Sequence, residues 1–254
     1  MLAAKRNNIR DRVIKMYKKA NAGHVGCSLS CLEMLTFIKF ELMKDEDEVI
    51  LSKGHAAAVL YSVLAEAGTL SENDIETFYQ NGTYLPAHPP VNKIKGIPFA
   101  TGSLGHGLSL AAGFALANKL KKSDKKIYCL TSDGEINEGS TWEAALFIAH
   151  HNLQNVIWFI DRNYLQGFGR TEDTLRLDPL DKKLESFGFE VTIADGHDFD
   201  SMKKSMASYK HTKPLAVICN TIKGNGLALQ NTVDCHYLPL TDEEFSKLTT
   251  QQDA

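Results

Sequence analysis

Two short segments carry the strongest chemical signal in the sequence: Ser132-Asp133-Gly134-Glu135 and Asp161-Arg162-Asn163. Each follows directly on an apolar run with the character of a β-strand, and one strand–helix–strand repeat separates Asp133 from Asn163. A carboxylate and an amide oxygen at adjacent strand ends can face one hard cation. Magnesium takes about six oxygens at roughly 2.0–2.1 Å, few from protein and the rest from phosphate and water. Gly134 lets a backbone amide approach a phosphate oxygen with no side chain in the way. An Asp-Gly turn or an Asn turn alone is ordinary in an α/β protein. The two together, at successive strand ends, point to a cation that tethers a phosphate.

The histidines are the second signal. Of nine, His24, His55, His88, His106 and His197 sit beside Gly or Pro in expected loops. Imidazole donates, accepts and moves protons near neutral pH, so several at strand ends suit a site that handles hydroxyls, a carbonyl or phosphate. His197 reads as a turn before a helix that starts at Asp198, and His150, His151 and His211 as structural or exposed. Thr101-Gly102-Ser103-Leu104-Gly105-His106-Gly107 opens a helix, where free amides favour anions. It is not a dinucleotide fingerprint, because no strand closely precedes it and no acid follows at about 20 residues. Glu138 and Glu143 share one helical face near an amino end, a place where acids also suit the helix dipole. Lys223-Gly224-Asn225-Gly226 reads as a flexible loop.

These residues need a frame. Ile9, Val13, Met16 and Tyr17 follow helical spacing, which predicts a helix over 2–20. Ser30 is the expected cap of a second helix carrying Leu32, Met34, Leu35, Ile38 and Leu42, and Ser71, with Glu72 and Asp74, of a later one. Val49–Leu51 is a short apolar run, 55–67 reads as helix, and 81–103 as a long polar loop. From there the pattern is regular: helix 106–120, strand 127–131, helix 139–151, strand 156–160, helix 179–187, strand 189–194, helix 199–210 and strand 215–220. Strands that are apolar along their whole length and alternate with helices predict an α/β fold: a doubly wound, mostly parallel sheet of about five strands with helices on both faces. In such sheets ligands bind outside the carboxyl ends of the strands, where the polar segments above fall.

The 254 residues suit a single domain over 1–254. With 43% hydrophobic and 23% charged residues and a net charge of −3, the composition is that of an ordinary soluble globular protein and suggests no nucleic-acid or membrane partner. The five cysteines form no CxxC pair and suit a reducing compartment. The charged start, Met1 to Lys19, has no apolar signal core, and no apolar stretch approaches the ~20 residues that span a bilayer. A cytoplasmic location is the expectation.

The motifs resemble a known family. Asp133-Gly134 with Asn163 resembles the Gly-Asp-Gly…Asn signature of thiamine-diphosphate enzymes, and the stretch through Glu138-Gly139 and Trp142-Glu143-Ala144 is similar to transketolase in particular. The resemblance runs from about residue 10 to about residue 240 with the motifs in family order. It implies a thiamine-diphosphate-binding fold and transketolase-type transfer of a two-carbon ketol unit from a ketose to an aldose. It implies that Asp133, Asn163 and the carbonyl of Leu165 ligate magnesium or another divalent cation, and that Gly134 and Glu135 lie at the cofactor. Gly23-His24-Val25-Gly26 looks like a substrate-facing loop. Leu51-Ser52-Lys53-Gly54-His55 looks like the segment whose His reaches the diphosphate and the reaction centre. Ala87-His88-Pro89 looks like the contact to the donor's hydroxyl end, and Asp234-Cys235-His236 like the late element that completes the group. Gly102 would hold the aminopyrimidine through its backbone and Leu104 would press on the thiazolium. Glu138 and Glu143 would meet their symmetry mates and link two active sites.

The family's catalytic glutamate and most of its sugar-phosphate contacts belong to a second, pyrimidine-binding domain. The resemblance therefore implies a separate C-terminal subunit carrying that domain, an α2β2 assembly, and sugar or sugar-phosphate substrates. Four positions depart from the family: Ser132 for the first glycine, Val25 for proline, Pro90 for glutamate and His106 for glutamine. Val25 and Pro90 fall in loops around donor and acceptor and leave the sugars open. The rival readings are the α subunit of a thiamine-dependent 2-oxo-acid dehydrogenase, which shares the metal signature, and a non-catalytic cofactor-binding partner.

Overall fold

A computed structural model describes residues 1–91 and 93–250. The chain opens with α1 (Leu2–Ala20), which buries Ile9, Val13, Ile14, Met16 and Tyr17 as its spacing predicts. It stops at Asn21, whose left-handed φ of 47° closes the helix. The helix expected to start at Ser30 does not start there. Instead Ser30 ends α2 (Val25–Ser30), the chain kinks at Cys31, and α3 (Leu32–Phe37) runs on into a π-turn over Ile38–Leu42. Ser30 caps nothing, because its hydroxyl donates to the buried carboxylate of Asp161 at 2.7 Å.

Then follow β1 (Glu48–Leu51), α4 (Ala57–Glu66) and α5 (Glu72–Ile75), the last with the expected Ser71 cap in a reciprocal box with Asp74. After the long loop come α6 (Gly107–Leu120), β2 (Ile127–Ser132), α7 (Gly139–His150), β3 (Val156–Arg162), α8 (Thr171–Thr174), α9 (Leu180–Phe187), β4 (Glu190–Asp195), α10 (Phe199–Ala207), β5 (Leu215–Asn220), α11 (Asp234–Tyr237) and α12 (Asp242–Thr250).

The five strands form one parallel sheet in the order β1-β2-β3-β5-β4. Pleating sends alternate side chains to opposite faces, and two separate cores result. Leu51, Leu130, Phe159 and Val217 pack on one face with α1 to α4, while Ile50, Cys129, Trp158 and Ile218 pack on the other with α6, α7 and α9. No helix among the described residues is long and apolar enough to cross a membrane.

The register decides where the chemistry goes. Ser132 pairs with Asp161, and Arg162 with Asn220, so the polar segments line one rim of the sheet. Glycine brings α6 to that rim: a Cβ on Gly107 would sit 2.3 Å from that of Ser52, just past β1, and the Gly107 amide donates to the Ser52 hydroxyl at 3.0 Å. The 81–103 loop is pinned by Tyr61 of α4, whose hydroxyl reaches the carbonyls of Pro86 and His88 at 3.0 and 3.1 Å.

Candidate functional site

At that rim lies a cavity of about 130 Å³ lined by Cys27, Lys53, His55, Leu104, Ser132, Gly134, Glu138, Asn163, Leu165, Gln166 and Lys223, among others. Asp133 is fully buried beside it. Its Oδ2 accepts from the Tyr164 amide at 2.6 Å and from Arg162 and Thr171 at 3.2 and 3.3 Å, and its Oδ1 from the Gly134 amide at 2.8 Å. The Asn163 oxygen accepts from the Leu165 amide at 3.1 Å. The carboxylate and the amide therefore gather on successive amides of one turn, residues 163–165. Burial, then the nearby charge of Asp161, pushes the Asp133 carboxyl up to about 6, with Arg162 opposing.

Two features at the cavity suit an anion. The Gln166 Nε2 is buried without a partner. The ammonium of Lys223, 3% exposed, has the Leu165 carbonyl at 3.3 Å as its hydrogen-bond acceptor. A buried donor left unpaired is costly, so both are poised for oxygens that a ligand would bring. A larger cleft of about 650 Å³ lies away from this rim, and its Arg6 and Arg10 share it with Asp11 and Glu33.

Beneath the cavity runs a buried ion pair that the motifs do not reveal, Lys53 with Asp161, at 1% and 0% side-chain exposure. Burial disfavours both charges, yet each partner's charge outweighs it: Lys53 is shifted up and Asp161 down. Ser30 and Thr221 donate to the same carboxylate, and Lys53 also reaches the Cys27 carbonyl at 3.0 Å. Glu135 is turned inward. Its carboxylate accepts from the Ser52 hydroxyl, from the Gly105 amide at 2.8 Å and from the Ser132 amide at 3.3 Å. It ties the end of β1 to the 101–107 loop and has no oxygen directed at the cavity lining.

Four of the singled-out histidines come together. The ring centroid of His24 lies 5.5 Å from His55, 6.2 Å from His88 and 5.0 Å from His236, and His55 lies 5.5 Å from His236. Their segments are far apart in sequence: the amino end of α2, the turn after β1, the pinned loop and α11. The His24 amide donates to the His236 carbonyl at 2.8 Å, which staples two of them. Burial pushes all four below the ordinary value, His55 well below and His236 down to about 3, with Lys223 next in effect on His236. All four are neutral at pH 7 and available as donors and acceptors. His106 is exposed at the start of α6, outside this ring group. His197 does more than make a turn: its Nδ1 meets Glu33 at 3.0 Å and its Nε2 accepts from the Ile222 amide at 2.9 Å.

Comparison with known proteins agrees with this geometry. Residues 3–252 match the family described as transketolase, thiamine diphosphate binding domain. The chain belongs to the transketolase family. It is 41% identical to one of the two subunit types of apulose-4-phosphate transketolase from Actinobacillus succinogenes, over 95% of this chain and 92% of that protein. It is 37% identical to the 6-deoxy-6-sulfo-D-fructose transketolase subunit SqwG of Clostridium sp. strain MSTE9, over 93% and 90%. Among solved structures, transketolase from Campylobacter jejuni superposes with a TM-score of 0.93 at 32% identity, covering 99% of this chain and 42% of that one. The chain thus spans about two fifths of that transketolase, and nine tenths of the relatives called subunits. These matches do not favour the 2-oxo-acid dehydrogenase reading.

The remaining expected residues of the transketolase site fall around the same rim. Leu104 lines the cavity, and a side chain built on Gly102 would come within 3.2 Å of the His88 ring. Glu138 and Glu143 are exposed at the amino-terminal end of α7, beside the exposed Leu146 and Phe147. Lys53, Gln166 and Lys223 are additions that the motifs alone do not assign to this site. A lysine inside the Leu-Ser-Lys-Gly-His segment and another directly after β5 were the available signals.

Proposed function

We propose that this chain is the diphosphate-binding subunit of a two-subunit transketolase, acting with a separate chain that supplies the pyrimidine-binding domain and its glutamate. The observation that carries the reading is the convergence of Asp133, Asn163 and Leu165 on one turn, with four neutral histidines grouped at the same rim. Relatives of this length that are named as subunits support a divided enzyme.

The residues fit a magnesium-bound thiamine diphosphate. One carboxylate, one amide and one peptide carbonyl form an oxygen set suited to a hard cation. No cluster of three or more His, Cys, Asp or Glu among the described residues is placed to hold an ion alone, so the cation would share the oxygens of the diphosphate. Gly134, Gln166, Lys223 and His55 would hold that diphosphate. Glu135 enters as a positioning residue for the 101–107 loop, where Gly102 and Leu104 would face the rings. When bound, thiamine diphosphate supplies the carbanion chemistry of ketol transfer. The chain's own part is to orient and to move protons. His24, His55, His88 and His236 would donate to the ketose carbonyl and hydroxyls and return protons as charge develops on oxygen.

Glu138 and Glu143 would meet a second catalytic pair in an α2β2 assembly, with Leu146 and Phe147 covered there. Val25 and Pro90, together with relatives named for unusual ketoses, favour a donor other than the common pentose phosphates. Five buried, unpaired cysteines suit the cytoplasm. The test is a transfer assay with magnesium and thiamine diphosphate. We expect turnover when this chain is mixed with its complementary chain, and none from either alone. Full activity from this chain alone, or no heat of cofactor binding by the pair, overturns the reading.

A further inference from the structure

We propose that Cys27 is a positioning residue whose thiol hydrogen-bonds His236 and fixes the tautomer and orientation of that ring. The kinetic side of this rests on the transketolase reading; the contact itself does not. Cys27 is 1% exposed near the start of α2, and its Sγ lies 3.3 Å from the His236 Nδ1. Its carbonyl accepts from Lys53 at 3.0 Å, so the residue is anchored to the buried Lys53–Asp161 pair rather than free to swing.

Proton placement follows from the two partners. Burial pushes the Cys27 thiol up, so it keeps its hydrogen at neutral pH. His236 is pushed down by burial and is neutral there. In a neutral imidazole one nitrogen donates and the other accepts. Imidazole nitrogen is the better acceptor of the pair and sulfur a weak one, so the S–H donates to Nδ1 and the ring hydrogen sits on Nε2. No protein partner for Nε2 occurs among the described residues. That nitrogen is left as the donor within the cluster formed with His24 and His55, 5.0 and 5.5 Å away by ring centroids. Cys27 therefore sets which edge of His236 gives a hydrogen to a sugar oxygen. Nothing in the backbone demands a thiol here, which makes the residue a clean probe.

The test uses Cys27→Ala and Cys27→Ser. Nitrogen NMR of the His236 ring, on the purified chain at pH 7, reads the contact without any turnover. We expect a single Nε2–H species with a hydrogen-bonded Nδ1 in the parent and in Cys27→Ser. In Cys27→Ala the Nδ1 resonance should move to the position of an unbonded or averaged ring. In the enzyme reconstituted with its partner chain, Cys27→Ala should lower kcat by about tenfold, below the ~10²–10⁴-fold that a positioned acid–base group supplies, with KM within about twofold and activity restored in Cys27→Ser. An unchanged Nδ1 resonance in Cys27→Ala overturns the proposal. So does a serine variant as impaired as the alanine one, which would make the cysteine a matter of packing. A shifted resonance in a reconstituted pair that transfers no ketol unit leaves the contact standing and sinks the functional reading instead.

Discussion

The two halves of the site are built in opposite ways. The cation end stands on parallel strand ends and is wired by hydrogen bonds: Asp133 to the amides of Gly134 and Tyr164, Asn163 to that of Leu165, and Asp161 to Lys53, Ser30 and Thr221. The histidine end is assembled from four separate segments, and its rings meet at centroid distances of 5.0 to 6.2 Å, too far apart to bond one another directly. The first half is part of the core and supports the fold. The second is carried by the fold and contributes little to it. Changes in the first should cost stability, and changes in the second should cost chemistry.

Lys53→Met gives the largest effect and the sharpest test. It leaves the Asp161 carboxylate buried without its countercharge, and breaking such a pair costs about 3–5 kcal/mol. Urea unfolding should show that loss. A midpoint unchanged from the parent would mean that the cation end is not the structural half. His24→Ala should do the reverse. Ketol transfer by the reconstituted enzyme should fall about 10²–10³-fold, the usual consequence of losing one such donor, while stability stays within about 0.5 kcal/mol of the parent. An equal loss of stability would erase the contrast.

Acid should separate the halves further. Asp133 titrates at about 6 in the folded chain, so protons compete with the cation below that value, and binding of magnesium with thiamine diphosphate to the pair should weaken as pH falls through it. Calorimetry across pH 5 to 8 reads this directly. His236 works through stability instead. Its pKa is lowered on folding, so its share of stability is present above the ordinary value of 6.5 and drains away as pH drops toward about 3. His236→Ala should flatten that slope in acid unfolding curves. The smallest effect is expected from Glu138→Gln with Glu143→Gln. Both acids are exposed, and assembly measured by sedimentation should weaken by less than about tenfold, as befits solvated charges.

Much of the cation end was legible in the sequence, because β2, β3 and β5 are unbroken apolar runs and the residues that follow them are polar in ways a strand end does not need. The parallel sheet followed from the same runs. What stayed hidden depends on contacts between distant residues. Ser30 has the look of a helix cap because local pattern cannot show that its hydroxyl is spent on Asp161. Lys53 lies 108 residues from its partner, and no periodicity encodes such a pairing. Glu135 has the place of a cofactor contact in its motif, yet its carboxylate holds Ser52 and Gly105. The histidines were visible one by one. That four of them meet is a property of the folded chain.

The bond from the His24 amide to the His236 carbonyl has a consequence for synthesis. During translation the sheet and its oxygen donors emerge well before α11, so a nascent chain stalled ahead of Asp234 would own a finished cation seat and an open ring of only three imidazoles. Competence to bind and competence to turn over are acquired at different moments in the life of the polypeptide, and the last few dozen residues made decide the second.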